Sequence, residues 1–155
     1  MKVTMLLADA AQAVGGKLYI LGGGWSQAGP GPVSSAIAIY IQIPWDQSND
    51  QHTMHLQLLD SDGRSVPDES GNAVAIEGQF ETGRPPGIKP GTPLDFALAM
   101  NIQPLALEPG SRFEWRLTID GKGDEDWTLP FSIRPANPPG VGPGGGMPSD
   151  PPPLG

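Results

Sequence analysis

The fold is decided by two neighbouring stretches, Arg112-Phe-Glu-Trp-Arg-Leu-Thr-Ile119 and Trp127-Thr-Leu-Pro-Phe-Ser-Ile133. In both stretches every second side chain is large and apolar, and the side chains between are smaller or polar. The apolar series is Phe113, Trp115, Leu117, Ile119, Trp127, Leu129, Phe131 and Ile133. Because successive side chains of a strand point to opposite faces, each stretch predicts a half-buried β-strand. Residues 120–126 join them and begin with Asp-Gly, so the pair predicts a β-hairpin.

Upstream of this hairpin the sequence predicts six more strands. The clearest covers residues 35–43, where four isoleucines alternate with smaller or polar residues, since β-branched side chains favour strands. The other five cover residues 3–7, 17–21, 53–59, 73–80 and 94–102. Eight short strands separated by Gly- and Pro-rich loops, without any segment of helical period, predict an all-β fold. We expect a single antiparallel β-sandwich of the immunoglobulin-like type.

The composition of the chain changes at Pro135. From there to Gly155, 14 of the 21 residues are proline or glycine, and such a segment has too few apolar side chains to offset the entropy of ordering. The remainder is long enough to bury a core without disulfides. The sequence therefore predicts a β-sandwich domain over residues 1–134 and a disordered tail over residues 135–155.

Charge and composition exclude several classes of function. The formal net charge is −8, from 9 cationic and 17 anionic side chains, so we expect neither nucleic-acid binding nor attraction to an anionic membrane. Cysteine is absent, which removes thiol nucleophiles and thiolate metal sites. Residues 1–13 resemble a signal peptide, but the apolar run Val3–Ala8 is too short and Asp9 interrupts it. We therefore expect a core strand over residues 3–7, then a loop that ends near Gly15-Gly16, in an acidic cytoplasmic protein.

The sequence predicts no catalytic residue, cofactor or metal ligand. His52 and His55 are three apart on a predicted strand and point to opposite faces, so they cannot share a metal. The triple glycine 22–24 follows a strand but has no helix after it to bind a phosphate. Asp60-x-Asp62-Gly63 resembles a calcium loop but lacks its closing glutamate. Each motif is typical of turns and bulges instead.

A row of alanines lies on the face opposite the apolar side chains of three predicted strands. Alanine favours strands weakly and leaves a smooth surface, so we predict that another sheet or chain approaches this face, as a homodimer or as a protein partner. The alternative is a general bias of the sequence towards Ala, Gly and Pro. The candidate interaction face comprises Ala36, Ala38, Tyr40, Ala73, Ala75, Ala97 and Ala99.

The four tryptophans divide into two pairs. Trp115 and Trp127 share the apolar period of the closing hairpin and are predicted to lie in the core. Trp25 and Trp45 lie in loops, where a ring either anchors the loop or contacts a ligand. With Tyr40, these loop aromatics raise the alternative of a module that binds a glycan or another small ligand.

Two further segments, Leu6-Leu-Ala-Asp-Ala-Ala-Gln12 and Gly16-Lys-Leu-Tyr-Ile-Leu-Gly-Gly-Gly-Trp25, resemble the opening of a family of small, functionally uncharacterised bacterial proteins. Ile43-Pro-Trp45 and Phe113-Glu-Trp-Arg-Leu-Thr-Ile-Asp-Gly121 extend the resemblance to about residues 1–134. It implies one sandwich domain and carries over no catalytic residues. Together with the patterns above, it favours a non-catalytic interaction or accessory module that presents a sheet face or loops to protein partners.

Overall fold

The computed structural model describes residues 1–137, so residues 138–155 of the predicted tail lie outside the described part. The described chain consists of ten strands and one 3-10 turn, Trp45–Gln47. The strands are β1 Lys2–Ala8, β2 Ala10–Val14, β3 Lys17–Leu21, β4 Gln27–Ala28, β5 Val33–Ile43, β6 Gln51–Asp60, β7 Ala75–Glu81, β8 Leu94–Leu105, β9 Arg112–Ile119 and β10 Lys122–Ile133.

Two sheets form an antiparallel sandwich, as predicted. The first has the strand order β1-β5-β8 and the second the order β4-β10-β9-β6-β7, in which only the two-residue β4 pairs in parallel. Alternate side chains of both sheets meet in one apolar core. Its most buried members are Trp115, Leu7, Ile37, Ile39, Ile41, Ile43, Leu56, Leu58, Leu117 and Ile133. The row of four isoleucines in β5 is therefore the central row of the core.

The closing hairpin is tighter than predicted. Strand β9 has the predicted bounds, but β10 begins at Lys122, because Asp120 and Gly121 form a two-residue turn with φ values of 52° and 75°. Asp-Gly is a favoured pair for such a left-handed turn. The remaining residues of the predicted loop belong to β10, and the pairing of β10 with β9 shifts in register between Gly123 and Thr128. The predicted loop over residues 120–126 was therefore wrong in length, and a bulge takes its place.

A second hairpin, β2–β3, was missing from the sequence prediction. Residues 10–14 were assigned to a loop, but they pair with Lys17–Leu21 around Gly15 and Gly16, whose φ values are 59° and 74°. The hairpin folds back over the outer face of the three-stranded sheet, where it packs on β5 and β8. Asn101 of β8 fixes it by donating a hydrogen bond to the carbonyl of Ala11, at 3.3 Å.

Candidate functional site

The predicted alanine face does not form one accessible surface. Ala36 and Ala38 are only 0% and 2% exposed, because the β2–β3 hairpin lies on them. Ala73 and Ala75 belong to the region of β7, in the other sheet of the sandwich. The prediction of a shared, exposed face was therefore wrong. Small side chains do allow a close approach here, but the chain's own hairpin makes it.

The hairpin contacts this surface through its inner side chains, Ala11, Leu18 and Ile20. They pack with Ala99 on Ala36 and Ala38 and form a second, smaller apolar cluster. Because alanine carries only a methyl group, the two layers can approach closely. Larger residues on β5 would hold the hairpin away.

Tyr40 and Ala97, the other members of the predicted face, pair across β5 and β8 and are half-buried. A hydrogen bond with the Asp95 carboxylate, together with burial, raises the pKa of the Tyr40 hydroxyl above its usual value.

The outer face of the hairpin carries a strip of exposed apolar side chains. Val14, Tyr19 and Leu21 are 58%, 56% and 71% exposed. Tyr19 and Leu21 are neighbours along one face of β3. Val14 lies on the same face of β2, diagonally opposite Tyr19, and aromatic side chains can reach a diagonal neighbour on the adjacent strand. We call these three residues the hairpin strip. Sequence reasoning missed it, although Gly-Gly between two short runs is a signal for such a hairpin.

Trp25 anchors its loop on the core. Its ring meets that of Phe131 edge to face, with 6.3 Å between centroids. The triple glycine before it allows a crossing of the backbone, as predicted: Gly24 donates to the carbonyl of Leu7 at 2.7 Å, and Gly22 adopts a φ of 59° directly against the Asp9 carboxylate. The left-handed φ favours glycine at position 22, and a side chain there would also displace the Asp9 carboxylate.

Trp45 is held at the other loop by Arg84. The guanidinium lies over the indole ring at 4.3 Å, donates from Nε to Ser48 Oγ at 2.6 Å, and donates from Nη2 to the Trp45 carbonyl at 2.7 Å. One face of the ring is therefore covered by a cation, an arrangement that stabilises the loop by roughly 0.5–1 kcal/mol at an exposed site.

His52 is the one histidine of the described chain that lies beside a carboxylate. It is 5% exposed at the start of β6, where its ring packs on Phe80. Its Nδ1 is 2.7 Å from Asp120 Oδ2, and its Nε2 is 2.9 Å from the carbonyl of Gln47. The other Asp120 oxygen accepts from the amide of Thr53 at 2.9 Å. His55, on the opposite face as predicted, is half-buried.

This geometry favours the protonated form of His52. Both of its neighbours are acceptors, so an imidazolium that donates from both nitrogens satisfies them. Burial alone lowers the pKa of His52, but the hydrogen bonds to Asp120 and Gln47 and the charge of Asp120 outweigh it and raise the pKa above 6.5. The bond with His52 in turn lowers the pKa of Asp120. Neither ring nitrogen is free to accept a proton from a substrate, so the pair connects loops and offers no general base.

The His52–Asp120 pair predicts a dependence of stability on pH. His52 has a raised pKa in the folded state, so its contribution is complete below pH 6.5 and is lost as the pH rises through the folded-state value. Asp120 has a lowered pKa, so its contribution is present above pH 3.8 and is lost as the pH falls through the folded-state value. Urea unfolding should therefore show the highest stability between these limits and a decline as the pH rises above 6.5.

Asp120→Asn tests the origin of that decline. It should lower the free energy of unfolding at pH 5.5 by roughly 1 kcal/mol, a modest figure because Asp120 is partly exposed, and should flatten the alkaline decline. The matched control is Asp46→Asn, at an exposed carboxylate nearby, which should behave as the wild type. An alkaline decline that is equally steep in Asp120→Asn would contradict the assignment.

Among residues 1–137, no three His, Asp or Glu side chains are grouped closely enough to hold a metal ion. In the same range, no helix is long and apolar enough to span a membrane.

The chain matches a protein-family model over most of its length. It belongs to the family of unknown function DUF6941, which it matches over residues 3–134. The resemblance inferred from the two N-terminal segments is thereby confirmed as membership of an uncharacterised family. No curated protein and no solved structure matches the chain.

Proposed function

We propose that the chain is a non-catalytic interaction module that binds a protein partner through the hairpin strip. The observation that supports this most strongly is the exposure of Val14, Tyr19 and Leu21 on one face of one hairpin. Grouped apolar side chains of this size mark protein contact sites more often than they occur on inert surfaces. Tyrosine and leucine at the centre of such a contact also bury much area with few rotatable bonds.

The same module is proposed to lack an enzymatic role. Both nitrogens of His52 are engaged, and Ser48 donates to the Trp45 carbonyl at 2.6 Å while accepting from Arg84. No nucleophile is therefore activated by a neighbouring base in this cluster. Strand β1 buries Val3, Met5 and Leu7, so this segment is part of the folded module that the proposal concerns.

Affinity capture with the full chain tests the proposal. From a lysate of the encoding organism, the wild type should retain a partner that Tyr19→Ser/Leu21→Ser retains about tenfold less, because exposed apolar residues at the centre of a contact carry much of its free energy. Both side chains are exposed, so stability should change by no more than about 0.5 kcal/mol. Light scattering of both proteins shows whether the partner is a second copy.

The matched control is Lys122→Ser/Glu125→Ser, which replaces two exposed residues of the β9–β10 hairpin in the other sheet. It should capture as the wild type does. Equal capture by all three proteins would overturn the assignment to the hairpin strip.

One observation favours a second candidate, a module for a glycan or another small polar ligand. An open cavity of about 380 Å³ is lined by Asp9, Trp25, Ser34 and Arg134. Within the described residues, the buried indole nitrogen of Trp25 has no hydrogen-bond partner. A few polar groups around an aromatic ring are typical of small-ligand sites. Such a ligand would change tryptophan fluorescence and would bind Tyr19→Ser/Leu21→Ser as it binds the wild type.

A further inference from the structure

Strand β8 is an open edge of the three-stranded sheet. It pairs with β5 on one side only. The outward carbonyl of Leu7 accepts a hydrogen bond from the amide of Gly24. This contact fixes the alternation across the sheet: the backbone groups of even-numbered residues of β1 bond to β5, and those of odd-numbered residues of β5 bond to β8. It follows that the backbone amides and carbonyls of even-numbered residues of β8 point towards β5. The backbone groups of Asp95, Ala97, Ala99 and Asn101 face away from it.

These outward backbone groups have no partner in the described chain. No backbone hydrogen bond joins them to another described segment. Long edges without charges are unusual, because sheets normally protect them with charged residues, proline or bulges. Over residues 95–102 of β8, Asp95 is the only charged residue. By comparison, β7 carries Glu77 and Glu81, and β1 is partly covered by Gly24.

The core is also open along this edge. The inward side chains of β8 stay half-buried, whereas the isoleucines of the neighbouring β5 are fully buried. The half-buried set is Phe96, Leu98, Met100, Ile102 and Leu105. Across the sandwich Phe96 stacks on Phe80 of β7, with ring centroids 4.9 Å apart. We call the space beside β8 and above β7 the lateral cleft.

The far end of the lateral cleft contains a socket. A cavity of about 440 Å³ lies between the end of β8 and the segment that leads into β7, and Val66, Val74, Leu105 and Leu107 are among its lining residues. The lining also includes Asp68, Glu69, Ser70 and Gln103, so the cavity offers apolar walls to one large aliphatic or aromatic side chain beside acidic and polar groups. The cleft therefore offers both unpaired backbone groups and an apolar pocket, the two elements of strand addition.

The chain's own tail is a poor occupant of this cleft. Residues 138–155 contain seven prolines, and proline has no amide hydrogen to donate to a ladder. Charge also describes the occupant: β8 carries Asp95 and no Lys or Arg, and Asp68 and Glu69 are among the residues that line the socket. A complementary strand would carry cations on its outward side.

We propose that an extended segment of a protein partner adds to the free edge of β8 as a further strand of the three-stranded sheet. Its inward side chains are apolar and one of them fills the socket at Val74 and Leu105; its outward side chains include Lys or Arg, and it contains no proline where it pairs. The inference rests on the proposed function in that the occupant is a protein, but it uses a different surface from the hairpin strip.

A random octapeptide display library, selected on the full chain, provides the test. Enriched peptides should alternate Val, Ile or Leu with Lys or Arg. Ala97→Pro should weaken their binding about tenfold, since it removes the backbone N–H that would donate to the added strand and places a pyrrolidine ring at the edge of β8. The matched control is Ala97→Val, which retains the amide and should bind as the wild type. Proline is tolerated at this position because the Ala97 amide does not pair with β5.

Hydrogen exchange on the wild type keeps the test independent of the folding of Ala97→Pro. Bound peptide should slow exchange of the Ala97 and Ala99 amides about tenfold or more. The proposal is overturned if no peptide is enriched, or if enriched peptides leave these amides unchanged and bind Ala97→Pro as tightly as the wild type. Peptides lost only with Tyr19→Ser/Leu21→Ser would overturn strand addition at β8 while supporting the proposed function.

Discussion

Ala38→Lys is expected to lower the free energy of unfolding by about 3 kcal/mol, because it forces a long, charged side chain between two packed layers. Ala38 is 2% exposed beneath the hairpin, against Leu18 and Ile20. The lysine can reach water only if the hairpin moves away. Urea unfolding should show the loss, and hydrogen exchange should show increased opening of β2 and β3.

The control for this prediction is Ala75→Lys. The sequence assigns Ala38 and Ala75 to the same face, but Ala75 is exposed on β7, in the other sheet. Its replacement should change stability by no more than about 0.5 kcal/mol. Similar losses for the two variants would contradict the packing of the hairpin on β5.

Trp115→Ala should cost about 3–5 kcal/mol, the range for removing a large aromatic side chain from a core. Trp115 is 1% exposed and is the largest fully buried side chain of the described chain. It pairs with Leu58 on one side and Leu129 on the other, in the middle of the five-stranded sheet. Its loss leaves a cavity that rigid neighbouring strands cannot close. Thermal or urea unfolding measures the effect.

Trp127→Ala provides the comparison within the same hairpin. Trp127 has the same apolar period as Trp115, but it lies in the bulge between Gly123 and Thr128 and remains half-buried. We expect about half the loss of stability, in proportion to the smaller area removed from water. A loss as large as that of Trp115→Ala would show that the bulge packs more tightly than the structure indicates.

These two tryptophans illustrate what periodicity can and cannot predict. The period of two predicted β9 with its bounds and identified the isoleucine row of β5 as core, because both strands are regular throughout. For Trp127 the period predicted the correct face, since the residue packs against the core, but it did not predict that the residue would be only half-buried beside a bulge. The sequence pattern therefore does not distinguish the half-buried Trp127 from the fully buried Trp115.

The hairpin strip was missed for a different reason. Strand β2 contains three alanines in five residues, and alanine is a weak strand former, so its own sequence did not predict a strand. Its pairing with β3 and its packing on Ala36 and Ala38 define it instead. The smooth alanine surface was a correct sign of close packing, but the sequence did not reveal that the hairpin covers it.

The His52–Asp120 pair was also beyond local reasoning. Strand alternation predicted that the two histidines face opposite ways, and the structure agrees. The partner of His52, however, is 68 residues away in sequence. It is brought near by the β6–β9 pairing and by the left-handed turn at Asp120. Contacts of this kind depend on strand order, which the local pattern does not contain.

The central claim is that the hairpin strip contacts a protein partner, and site-specific photo-crosslinking tests it most directly. Benzoyl-phenylalanine in place of Tyr19 preserves an aromatic ring at the centre of the strip, and the same residue in place of exposed Lys89 serves as the control. After irradiation in the encoding organism, we expect a covalent adduct with another protein, or with a second copy of the chain, at position 19 but not at position 89. No adduct at position 19, or the same adduct at both positions, would contradict the account.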